Sequence, residues 1–89
     1  MKLKEGFVLR ELGNEYIVCP EGVDVLDFGK MLSLNESAAF VWRLMQEGPF
    51  RTDDIVAALL EEYDVSEQQA SADVNSLVAE LAELGIIDE

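Results

Sequence analysis

An α+β fold, with an N-terminal three-stranded antiparallel sheet followed by three α-helices, follows from three features of this 89-residue sequence. Apolar, β-branched and aromatic runs flank a Gly-Asn turn in the first third. Helix caps and stops punctuate the remainder, and between them apolar residues recur at spacings of three and four. Together they predict a winged-helix-like arrangement whose strands come first, in a single domain spanning 1–89.

Each element has its own warrant. Phe7-Val8-Leu9-Arg10-Glu11-Leu12, the turn Gly13-Asn14 and Tyr16-Ile17-Val18-Cys19 predict a hairpin. Beyond Pro20-Glu21-Gly22, Val25 to Phe28 predicts a short strand-like arm, and Met31-Leu32-Ser33-Leu34, after Gly29-Lys30, predicts the third strand. Small sheets are marginal alone, so this one must lay its apolar face on the helices. Asn35 is an N-cap, and Glu36 opens a helix running to about Glu47 with Ala39, Phe40, Trp42, Leu44 and Met45 inward and Gly48 as a left-handed stop. Thr52 is the expected cap of the second helix, whose core stripe is Ile55, Val56, Leu59, Leu60 and Tyr63. Ser66 with Gln69 reads as a capping box, and Ala70, Val74, Leu77, Leu81 and Leu84 stripe the third helix up to Gly85.

Charge excludes several function classes. Nineteen acids against six bases give a net charge of −13, and every base lies at or before Arg51, while residues 52–89 carry eleven acids and no base. A DNA-binding winged helix needs cations on its recognition helix, and the predicted third helix offers Glu67, Asp73, Glu80 and Glu83 instead. No nucleic-acid or anionic-membrane partner is therefore expected. No run approaches the roughly 18 apolar residues of a membrane span. The Met-Lys-Leu-Lys start lacks the apolar core of a secretory signal, which predicts a cytoplasmic chain with Cys19 reduced.

Catalytic and metal chemistry is equally poorly supplied. With no histidine and one cysteine there is no Cys/His zinc set, no intramolecular disulfide and no Ser/Cys–His pair, so no catalytic residue, metal or cofactor is expected. Asp53-Asp54 and Glu61-Glu62 are adjacent helical residues that diverge by about 100°, which suits a solvated face better than a ligand set. Asn35-Glu36-Ser37 matches a glycosylation sequon but reads as a helix cap. Cys19 on an apolar strand reads as a buried structural thiol, and Trp42, between Phe40 and Leu44, as partly core. An acyl carrier protein is small, acidic and helical too, but the nearest match to its serine motif, Asn75-Ser76-Leu77, lies inside a helical periodicity, and three strands have no place in that fold. What the residues leave open is an exposed sheet edge that either recruits an extended peptide or is merely covered.

Gly6 to Arg10, Leu26 to Trp42 with Leu34-Asn35-Glu36 at the strand-to-helix junction, Leu59 to Val65, Asp73-Val74 and the closing Leu84-Gly85-Ile86-Ile87 resemble the PqqD family over nearly the whole chain. The resemblance implies a non-catalytic peptide chaperone, also called a RiPP recognition element. Such proteins bind the leader region of a ribosomally made precursor peptide by strand addition and hand it to a modifying enzyme, as with the radical S-adenosylmethionine enzyme of pyrroloquinoline quinone (PQQ) biosynthesis. Carried onto this chain, it implies that Lys30, Met31, Leu32, Ser33 and Leu34 form the receiving strand, with Lys30 the base near it. Val74, Asn75, Val78 and Ala82 are the candidate opposing wall, Val74 and Val78 being equally good core residues. A monomer or a strand-swapped dimer is compatible with such an edge. The alternative is a degenerate winged-helix regulator working through protein contacts.

Overall fold

The computed structural model describes residues 1–21 and 31–88. The expected arm Val25 to Phe28 and Lys30 lie outside the described residues. In chain order the elements are β1 (Lys2–Leu3), β2 (Phe7–Leu12), β3 (Glu15–Pro20), β4 (Leu32–Leu34), α1 (Glu36–Met45), α2 (Thr52–Glu62), α3 (Glu67–Glu83) and β5 (Ile87–Asp88). The expected sheet is present as β2-β3-β4, antiparallel throughout, and the three helices follow it.

The hairpin register follows from its two-residue turn. Leu12 pairs with Glu15, Gly13 has φ +64° and no non-glycine residue among the described residues has positive φ. Positive φ at the first central position alone is the type II′ pattern, which matches the right-handed twist of the strands. Pairing Leu9 with Val18 and Val18 with Leu32 then puts Phe7, Leu9, Tyr16, Val18, Leu32 and Leu34 on the face that meets the helical core. Val8, Ile17 and Cys19 alternate onto the other face, and the Cys19 thiol is half-buried and free.

The helices close over that face. Trp42, expected to be partly core, is fully buried on α1 beside Met45, and its indole N–H has no partner among the described residues. Val41 is buried while Phe40 and Leu44 are only half-buried, so the apolar stripe is rotated from the one expected. Phe40 still reaches the core margin, meeting Tyr63 edge-to-face at 5.6 Å between ring centroids. Arg43 lies 5.6 Å above the Tyr16 ring, tying α1 to β3 by a cation–π contact.

The helix ends depart from expectation in three places. Helix α1 ends at Met45, and Gly48, with φ +144°, falls in the connecting loop and not at a left-handed cap. Arg51, not Thr52, occupies the N-cap position of α2, with no side-chain cap. At α3 the Ser66 hydroxyl accepts the Gln69 N–H at 3.0 Å, but the Gln69 amide donates onward to Asp73 at 2.8 Å instead of returning to close the box.

At the other end of α3, Gly85 at φ +75° forms a Schellman motif: its N–H bonds the Ala82 carbonyl at 3.0 Å and the Ile86 N–H bonds the Leu81 carbonyl at 2.8 Å. Leu81 and Ile86, the apolar pair of that motif, are both fully buried. The reversal launches β5, which pairs with β1 as a terminal ribbon: Lys2 opposite Asp88, Leu3 opposite Ile87. Two-residue strands carry no periodicity, so nothing in the sequence marks this ribbon.

Candidate site: a groove between the edge strand and the third helix

Strand β4 is the end member of the three-stranded sheet. Among the described residues it has β3 on one side and no strand on the other. Its position is set by two constraints: Leu34 is buried opposite Tyr16, and the next residue, Asn35, caps α1. The edge thus leads straight into a helix N-terminus.

Beside this edge lies a cavity of about 220 Å³ between β4, α1 and α3. Leu34, Val41, Leu59, Val74 and Leu77 supply its apolar lining, and Ser33, Ser76, Asp73 and Glu80 are among its polar groups. A second cavity of about 320 Å³, lined in part by Glu36, Tyr63 and Val65, shares Asn35, Ser37, Leu59 and Asp73 with the first. The two adjoin at these residues to form one trough, the first part beside β4 and α3 and the second at the start of α1 and the end of α2. The half-buried Tyr63 phenol is held above the ordinary tyrosine range, first by desolvation and then by the carboxylates of Glu36 and Glu62.

The structure places the expected binding residues in three groups. Ser33, Leu34 and Val74 line the groove. Met31 is exposed just before β4, and Leu32 is half-buried on the core face of the sheet. Asn75, Val78 and Ala82 are not among the lining residues. Asn75 is exposed and donates its amide to the Ser71 hydroxyl at 3.4 Å, Val78 packs against the core margin, and Ala82 is exposed. The row of α3 that lines the groove is instead Asp73, Ser76, Leu77 and Glu80. Its spacing of three, one and three is a helical stripe visible in the sequence, but so is the row on the other shoulder of Val74 and Leu77.

No group of three or more His, Cys, Asp or Glu residues able to hold a metal occurs among the described residues, and no described helix is long and apolar enough to cross a membrane. The arrangement offers main-chain donors and acceptors along β4 and apolar depressions behind them. That combination suits an extended peptide added to the sheet.

Comparison with known proteins gives the class. Residues 8–87 match the family profile described as "Coenzyme PQQ synthesis protein D (PqqD)", and the chain belongs to the PqqD family. Its fold is similar to that of TbiB1, solved in complex with the TbiA(beta) leader peptide: the TM-score is 0.74 at 24% identity, over 99% of this chain and 95% of that one. It is also similar to a lasso peptide synthetase B1 complexed with its leader peptide, with a TM-score of 0.70 at 22% identity, over 96% of this chain and 93% of that one. At these identities the two structures establish the fold. No curated protein sequence matches significantly.

Proposed function

We propose that this protein is a non-catalytic leader-peptide recognition element. It receives the leader of a ribosomally made precursor as a strand along Met31 to Leu34 and presents the attached core peptide to a modifying enzyme. The observation that carries this reading is the edge of β4, unpaired among the described residues, directly beside the groove that Leu34, Val74 and Leu77 line. Membership of the PqqD family and the leader peptides held by both structural relatives support it. A radical S-adenosylmethionine enzyme is the proposed recipient, as in PQQ or related peptide pathways, and the cytoplasm, where precursors are made, the proposed location.

Affinity comes from main-chain hydrogen bonds and apolar anchors, because exposed ion pairs contribute only about 0–1 kcal/mol each. The test is a titration of isotopically labelled protein with the leader of a precursor peptide encoded beside its gene. Amide shifts concentrated in Met31 to Leu34 and on the Asp73 to Glu80 face of α3 are expected. Saturable binding with shifts elsewhere, or no binding, would sink the mechanism.

A further inference from the structure

Among the described residues, the trough beside β4 and the start of α1 carries one sign of charge. Its first cavity is lined by the carboxylates of Asp73 and Glu80 and its second by those of Asp73 and Glu36, and neither has a lysine or arginine among its described lining residues. Its other polar side chains are the hydroxyls of Ser33, Ser37, Ser76 and Tyr63 and the Asn35 carboxamide, which serve as donors or acceptors alike. Asp73 belongs to both cavities, and one of its oxygens is already engaged by the Gln69 amide at 2.8 Å, which holds the carboxylate while leaving the second oxygen available.

Resting on the peptide-binding reading above, we propose that this trough selects cationic leader segments, with Asp73 and Glu80 as the residues that determine charge specificity. Their seven-residue separation is two turns of helix, about 10 Å along the axis. An extended peptide covers that distance in about three residues and places every second side chain on one face, so two Lys or Arg side chains two or four positions apart reach both carboxylates. An acidic residue in the same place would meet like charge over an apolar floor, and such repulsion discriminates between partners more strongly than attraction alone does.

A chain of net charge −13 attracts cations everywhere, so the test must separate the trough from the whole surface. Short random peptides with uncharged flanks, displayed as a library, are selected against the full chain at physiological salt. Binders that are lost on Ser76→Trp are taken as trough ligands. Enrichment of Lys and Arg and depletion of Asp and Glu among them is expected. The double variant Asp73→Asn/Glu80→Gln is expected to weaken them about threefold to tenfold. Glu61→Gln/Glu67→Gln removes the same net charge from exposed positions outside both cavities and is expected to leave affinity unchanged. Trough ligands without excess base, or equal responses to the two double variants, overturn the charge assignment while leaving peptide binding intact. Recovery of no binder sensitive to Ser76→Trp overturns both.

Discussion

The carboxamide oxygen of Asn35 accepts the backbone N–H of Ala38 at 2.8 Å, one residue after Leu34 leaves the sheet. It also accepts the Ser37 hydroxyl at 3.0 Å. The residue that ends the edge strand therefore satisfies the first turn of α1, and the direction of the strand and the start of the helix are set together. Asn35→Ala is expected to lower stability by about 1 kcal/mol, measured as a shift of the urea midpoint at constant m-value. Asn35→Asp, which caps equally well, is expected to retain the wild-type midpoint.

The Schellman turn at Gly85 makes a second stability prediction. A side chain at φ +75° costs about 1–2 kcal/mol. Gly85→Ala should lose that amount and accelerate hydrogen exchange at Ile86, whose N–H closes the motif on Leu81. A variant with unchanged stability would mean that β5 holds the chain reversal without the glycine.

The two shoulders of α3 predict opposite binding phenotypes. Ser76 lines the groove and is exposed, so Ser76→Trp fills the space beside β4 with little effect on folding. It should weaken leader binding at least about tenfold while changing stability by no more than about 0.5 kcal/mol. Ala82→Trp, exposed and outside the groove, should leave affinity at the wild-type value. Isothermal titration calorimetry on both variants decides the matter, and equal losses would move the site off this groove.

Tyr63 gives a pH dependence whose sign is fixed. Its phenol holds its proton more tightly folded than unfolded, because the phenolate would be desolvated and would face Glu36 and Glu62. Unfolding therefore favours proton release, and stability should be complete below the ordinary tyrosine value of about 10 and fall as pH rises beyond it. Urea midpoints followed from neutral to strongly alkaline pH should show this decline, and Tyr63→Phe should remove the Tyr63 share of it. A Tyr63→Phe protein with an undiminished alkaline decline would exclude the phenol as its source.

Much of the fold was legible because local chemistry and global packing agree. Gly13 at a positive φ, Asn35 as a cap, Ser66 with Gln69, and the Ala70-Val74-Leu77-Leu81 stripe each report a short-range preference that the tertiary structure retains. The misreadings arise where two local solutions compete. At the α2 start, Arg51 and Thr52 are one residue apart, and packing of Ile55 and Leu59 decides the phase of the helix over the weaker preference for a hydroxyl cap. On α1, burial of Val41 together with Trp42 rotates the stripe and leaves Phe40 to pair with Tyr63. The β1–β5 ribbon joins the two ends of the chain, a contact without any local signature.

By itself the sequence determined the order of the three-stranded sheet and the three helices, the strand-to-helix junction at Leu34-Asn35, the inward stripe of α3 and the acidity of everything after Arg51. These are properties of spacing and composition, which a linear chain carries in full. Only the tertiary structure decided which shoulder of α3 lies beside β4. Asp73, Ser76 and Glu80 stand on one side of the core stripe and Asn75, Val78 and Ala82 on the other, and helical periodicity treats the two alike. The choice falls to the way α3 packs on α2 and α1, a long-range arrangement of buried Leu59, Val74 and Leu77. That packing turns Asp73 and Glu80 toward the groove beside the proposed peptide-binding edge.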